Sequence, residues 1–369
     1  MFSGIILVVL LIFSNSRISA ASADIDLYSI IPGQAAAQNE SILVEINHDL
    51  IFSKKSPLRL AGGESVSVKL HLPGLGERIA SITEHNFINQ QERSHIGKIQ
   101  GDVGGNLFLT VANQTFLGLA ALNDGRKYYI TKFSDDTYAV KEKLKPRLPF
   151  RCENCEIERQ APKRTIQKFS KSPGAKAAPN QHSILGGTVV VDVLALYTEK
   201  ARKLVGAMNR EPDRHEHIKN LYQAYIEIAN TALKDSGVDV EFNVVHKEQI
   251  DFEELEEDGA LGDALDHMSD DSDGIMDKIS GLKKLYKPDL ISLVVATKFG
   301  KSWGQWRQES FDGFWRGKAY TPTDLTHFEE DWLYSTINVA YENNFYDDFP
   351  DHVLAHELGH NFGCGHDRA

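Results

Sequence analysis

Cysteine is nearly absent from this chain: three residues in 369, at Cys152, Cys155 and Cys364. So few thiols exclude a disulfide-stapled scaffold. Methionine is almost as sparse, with Met1, Met208, Met268 and Met276 only. A basic surplus is missing too. Against 52 Asp and Glu stand 40 Lys and Arg, a formal net charge of −12, and no broad cationic face is left to hold nucleic acid. Long apolar runs are also lacking: the run at 5–13 has nine residues, too few to span a bilayer. What is present, 41% hydrophobic and 25% charged residues, is the balance of ordinary globular domains, and the length allows two or three of them.

Composition shifts divide the chain. Residues 1–23 read as a signal peptide, because the short apolar run is followed by polar residues and by Ala21-Ser22-Ala23 before Asp24. Secretion is therefore expected, with no membrane span once the signal is removed. Over 24–150, runs such as SILVEINHDLIF, ESVSVKLHL, NLFLTVAN and KYYITKF alternate in part and are separated by Gly-Gly, Pro-Gly and Asn-Asp-Gly. That pattern predicts a mostly antiparallel β domain. His48, His71, His85 and His95 are scattered through it without ligand spacing, and Asn39 and Asn113 begin glycosylation sequons. A basic, proline-broken stretch follows, with eleven Lys or Arg against four Glu over 141–176. Residues 151–186 are thus expected to be a linker, in which Lys163-Arg164 is either a maturation site or part of a solvated segment that is never cut.

From 187 onward the periodicity changes. Strands are expected at 189–196, 238–245, 290–296 and 336–341, and helices near 199, over 215–235 and over 273–286. Thr198 is placed to cap the first helix. Strands alternating with helices predict an α/β (α+β) domain over 187–369 built on a mixed twisted sheet.

The chemistry sits at the end of the chain, in HELGHNFGCGH. His356 and His360 are four residues apart and would project from one helical face, bringing two imidazoles to one ion. Glu357, a third of a turn away, suits a general base better than a ligand. Gly363 can take positive φ, ending the helix and turning the chain so that His366 approaches as third ligand. Three nitrogens leave a fourth position open for water, as in a catalytic Zn2+ site.

His356-Glu357-Leu358-Gly359-His360, with Gly363 and His366, resembles the HExxHxxGxxH motif of metzincin metalloproteases, and Asp367 after it resembles the adamalysin or reprolysin branch of ADAM and snake-venom enzymes. The resemblance implies a secreted zinc endopeptidase acting on protein or peptide substrates with Glu357 as base. It also implies a metzincin catalytic domain whose upper subdomain contains the mixed sheet and the active-site helix. Its β-rich N-terminal segment would be a prodomain acting as the enzyme's own inhibitor. An edge strand, for which 317–321 is the local candidate, would line the cleft. Cys152 or Cys155 would serve as a cysteine switch on the metal; a Cys152–Cys155 disulfide, or pairing with Cys364, is the alternative. The family's Met-turn would follow the third histidine, whereas all four methionines lie upstream, so a truncated chain is expected. Rival readings are an inactive zinc-binding module and a non-proteolytic zinc hydrolase.

Two further features invite attention. Residues 251–277 hold twelve acids, and a Ca2+ loop there would place Ser280 where a bidentate Glu is needed, so a solvated acidic loop is the simpler reading. Trp303, Trp306, Phe311, Phe314 and Trp315 crowd one stretch, either folding on one another or meeting substrate.

Overall fold

The computed structural model describes residues 24–35, 41–60, 65–134, 136–143, 187–208, 214–255, 260–296, 317–321, 333–339 and 353–364. The signal segment, Cys152, Cys155, Lys163-Arg164, the aromatic stretch 303–315, His366 and Asp367 lie outside the described residues.

The first half forms a ten-stranded sheet: β1 (Ile25–Asp26), β2 (Tyr28–Ala35), β3 (Ser41–Ile46), β4 (Val66–Leu72), β5 (Gly76–Phe87), β6 (Glu92–Ile99), β7 (Asn106–Ala112), β8 (Thr115–Ala121), β9 (Lys127–Lys132) and β10 (Thr137–Lys143). Neighbours from β4 to β10 are successive antiparallel hairpins, and only β1 with β4 is parallel. The segment from Ile25 to Ala35 pairs through β1 with β4 and through β2 with β3, so one stretch of chain covers both sheet edges. Tyr28 Oη, donating to the His71 carbonyl at 2.7 Å, ties the two ends together. The sheet thereby curls, and Val44, Val68, Ile82, Leu109 and Val140 from its opposite ends share one apolar cluster. Two single-turn helices, α1 (His48–Ile51) and α2 (Pro57–Leu60), follow β3. The Asn47 side chain accepts from Leu50 N at 3.0 Å and caps α1, so the expected single strand over 41–52 bends there into a helix.

The second half is mixed α/β. Strands β11 (Val189–Thr198), β12 (Val240–Ile250), β13 (Leu290–Val295), β14 (Gly317–Ala319) and β15 (Tyr334–Asn338) lie in the order β12-β11-β13-β15-β14. The first four in that order are parallel, and β14 is an antiparallel edge. The helices are α3 (Glu199–Met208), α4 (Arg214–Asp235), α5 (Ala260–Ser269), α6 (Lys278–Tyr286) and α7 (Val353–Asn361). Thr198 does cap α3, accepting from Ala201 N at 3.1 Å. Its hydroxyl in turn donates to buried Glu254, whose Oε1 also accepts from Ala296 N at 3.1 Å, so one carboxylate joins the ends of β11 and β13. Helix α4 runs 22 residues without Gly or Pro and ends before Gly237, whose φ is +70°.

Some expectations shift. The strand read at 238–245 begins at Val240 and continues to Ile250, because its polar second half pairs with β11. The helix read from 273 begins at Lys278; Met276 adopts φ +57°, a left-handed conformation that interrupts helix. Helix α5, inside the acidic stretch, was not anticipated. His85 and His95, unrelated by sequence spacing, meet across β5 and β6 with their Nδ1 atoms 2.9 Å apart.

Two buried histidines make the fold acid-sensitive. Burial, with Lys132 adding to it, pushes His217 down to about 4; burial and the charges of His85, Arg93 and Arg59 push His95 down to about 3. In the unfolded chain such rings titrate near 6.5. Each therefore contributes stability that is full above that pH and is lost as the pH falls toward the folded value, with a slope of up to about 1.4 kcal/mol per pH unit. Urea midpoints followed by circular dichroism should fall steadily from pH 6.5 to 4.5, less steeply in His95→Gln; a flat profile would contradict this.

Candidate metal centre

Helix α7 carries the two histidines. Val353, Leu354 and Leu358 bury its apolar side in the core of the second half, which leaves His356 half-buried and His360 at 2% exposure on another face. The ring nitrogens converge: His356 Nε2 and His360 Nε2 are 3.1 Å apart, with the rings edge to face. Two nitrogens held about 2.0–2.1 Å from one tetrahedral zinc stand about 3.3 Å from each other, so the pair fits such an ion with only a slight opening. Among the described residues no third metal-ligating side chain joins them.

The turn after α7 fixes the ring. Gly363 takes φ +79°, Gly363 N donates to the His360 carbonyl at 2.8 Å, and Cys364 N donates to the Gly359 carbonyl at 3.1 Å. These two bonds are a Schellman ending, which only a residue at ease with positive φ accepts cheaply. The same turn points the Cys364 carbonyl at His360 Nδ1, 2.8 Å away. A carbonyl only accepts, so Nδ1 carries the proton and Nε2 keeps the bare lone pair a metal requires. Cys364 itself is a free, exposed thiol.

Glu357 lies at 0% exposure between α7 and the edge strand β14. The contact is so close that a Cβ added to Gly317 would fall 2.5 Å from Glu357 Cγ and 2.6 Å from its Cδ, and closer still to Oε1. Asn361 clamps the same region: its Nδ2 donates to the Tyr320 carbonyl at 3.1 Å and to the Tyr334 carbonyl at 3.0 Å, locking the last turn of α7 to β14 and β15. Sequence reading placed Gly317 at the sheet edge, where it is, but assigned no role to Asn361 or to the Cys364 carbonyl. A polar side chain in the helix's last turn, just ahead of the turn glycine, was the available signal.

The acidic loop does not resemble a calcium site. Asp270 Oδ1 accepts from Ser272 N at 2.9 Å, Asp273 Oδ1 accepts from Ile275 N at 2.7 Å, and the other Asp273 oxygen pairs with His267. That pairing raises the His267 pKa and lowers that of Asp273, so this acid is used in local structure.

Gly317→Ala should displace the Glu357 side chain, lowering stability by about 1–3 kcal/mol through overpacking. Gly281→Ala, in helix α6 with nothing within 4 Å of its added Cβ, should leave stability unchanged or raise it by about 0.5–1 kcal/mol. Equal thermal unfolding of the two variants would refute the close approach of β14 to Glu357.

The family model described as "Metallo-peptidase family M12B Reprolysin-like" matches residues 220–367. A curated protein of Pseudomonas aeruginosa named "Peptidyl-Asp metalloendopeptidase" is 28% identical over 183 residues, 48% of this chain and 25% of that protein. The chain thus spans about a quarter of that relative's length. A solved structure titled "Structure of a chaperone-substrate complex" aligns at 10% identity and a TM-score of 0.33, covering 71% of this chain and 32% of that one, too slight a likeness to carry an argument. Residues 220–367 are similar to the reprolysin-like metallopeptidases, and helix α7 with its paired histidines falls inside the similar stretch.

Proposed function

We propose that this chain is a secreted zinc-dependent metalloendopeptidase made as a latent precursor. The observation that carries the reading is the convergence of His356 Nε2 and His360 Nε2 at 3.1 Å, with His360 oriented by the Cys364 carbonyl. His366 is the third ligand and Asp367 follows it, as in the adamalysin branch of the metzincins. A zinc ion held there supplies Lewis acidity to the scissile carbonyl and the attacking water. Glu357 takes the proton from that water and passes it to the leaving amine. Strand β14, at the sheet edge beside Glu357, accepts an extended peptide by main-chain pairing, and Gly317 lets that strand lie directly against the carboxylate side chain. Peptides are the substrate class; the aspartyl preference in the relative's name is attributed to that protein alone.

The rest of the proposal concerns biogenesis. Residues 1–23 direct secretion, 24–150 are the prodomain and own inhibitor, and 151–186 are the linker. Cys152 or Cys155 keeps the precursor latent as a thiolate ligand. Among the described residues no helix is long and apolar enough to cross a membrane.

Glu357→Gln should retain zinc, measured by atomic absorption, and lose about a hundredfold or more of peptide hydrolysis, since it removes the base and no ligand. His360→Ala should lose the zinc, and chelation should stop the wild-type enzyme. Full activity in Glu357→Gln would overturn the assigned role. Replacing the ligating cysteine by Ser should activate the uncleaved precursor; if Cys152 and Cys155 form a disulfide instead, neither substitution activates it and the intact mass is two hydrogens lower.

A further inference from the structure

Helix α4 (Arg214–Asp235) has two faces. Ile218, Tyr222, Tyr225 and Ala229 lie on one side in the core of the second half. Asn220, Gln223, Glu227, Thr231 and Lys234 recur at steps of three and four on the other, a polar stripe of the kind that normally meets water. Here its middle is buried: Asn220 is 1% exposed, Gln223 5% and Glu227 2%. The cover is the N-terminal sheet, whose strands β6, β7 and β8 pack on α4.

The two surfaces match group by group. Glu227 accepts from Ser94 Oγ of β6, from Asn86 Nδ2 of β5 at 3.1 Å, and from its own neighbour Gln223 Nε2 at 2.8 Å. Asn220 Nδ2 donates to Thr115 Oγ1 at 2.7 Å, while Thr110 Oγ1 donates to the Asn220 carbonyl at 3.2 Å. Beside the stripe, Lys247 of β12 is 9% exposed and donates to Glu92 of β6 at 2.8 Å. Ile96, Phe108, Leu117 and Leu119 add an apolar contact between these polar pairs. At the far end the seam opens into a cavity of about 330 Å³ lined by Glu84, Asn86, Glu227 and Lys234.

A face polar enough to stand in water, yet bonded through Asn220 and Glu227 to its cover, has the mixed polar and apolar character of an interface between domains. We propose that the polar stripe of α4, with Lys247, is a docking surface for the N-terminal β domain, which stays bound there as a folded, non-covalent partner after the connecting segment is cut. This rests on the reading of 24–150 as a prodomain only for the event that makes the cut. The hold is independent of the metal and of Cys152 and Cys155, because every contact named lies on α4 and β12.

The test uses the full chain with a site-specific protease sequence replacing residues 165–170. After nicking, gel filtration at micromolar concentration and pH 7.5 should show both fragments in one peak at the size of the uncut chain. Glu227→Ala should weaken the association about 30-fold or more, as truncating one member of a buried charged hydrogen-bond set does. If that variant fails to fold, Ser94→Ala with Asn86→Ala probes the same contact from the other side. Lys247→Glu should weaken docking, and Lys247→Glu with Glu92→Lys should restore part of it. Separation of the wild-type fragments, or co-elution that none of these variants changes, overturns the proposal. The readout is mass in solution, so a docked but proteolytically inert protein would sink the protease reading alone.

Discussion

The packing of α4 between two sheets is the constraint on which the rest of the molecule depends. One helix supplies apolar side chains to the core of the mixed sheet and polar side chains to the N-terminal sheet, and helix α7, which carries His356 and His360, packs against it as well. A helix covered on both sides is ordinarily apolar all round. This one is not, so each buried polar group must find a partner or leave an unmet hydrogen bond worth about 1–3 kcal/mol. Glu227, Asn220 and Lys247 are matched across the seam, which makes the relative placement of the two halves specific as well as cohesive.

The candidate metal centre is likewise shaped by backbone constraints as much as by its side chains. Helical spacing brings His356 and His360 together, but spacing alone leaves the His360 ring free to flip and either nitrogen free to carry the proton. The Schellman turn removes that freedom, since the conformation that ends the helix also delivers the Cys364 carbonyl to Nδ1. Gly363 makes the turn affordable, and Gly317 lets the edge strand lie against Glu357. Two glycines on unrelated elements thus set the geometry around the histidine pair and Glu357, by allowing backbone where a side chain would obstruct.

How much of this was legible in the sequence follows the range of the forces involved. The helix Arg214–Asp235 was readable to within a residue and the histidine pair by spacing alone, because helical period and positive-φ glycine are local properties. The strands β5 and β6 were not readable. Their polar residues Arg93, Ser94 and His95 are buried by distant chain, and no alternation survives to announce them. Helix α5 was overlooked for a different reason. Leu261, Ala264, Leu265 and Met268 form a helical stripe with exposures of 0–1%, but the surrounding acids give the stretch the composition of a solvated loop. The roles of Gly317 and Asn361 depend on strand and helix meeting in space, which no local pattern encodes.

The family match over residues 220–367 opens inside α4 and covers α7 with its paired histidines. The sheet with its antiparallel edge, the backing helix α4 and the turn that orients His360 all lie within the second half. The N-terminal sheet lies outside that set and bonds to the polar face of α4 through Ser94, Asn86 and Thr115. Near the start of that face Asn220 bonds both to Thr115 and to Thr110. The helix therefore faces two ways at once: its apolar side packs in the core of the second half, and its polar side is bonded to the strands of the N-terminal sheet.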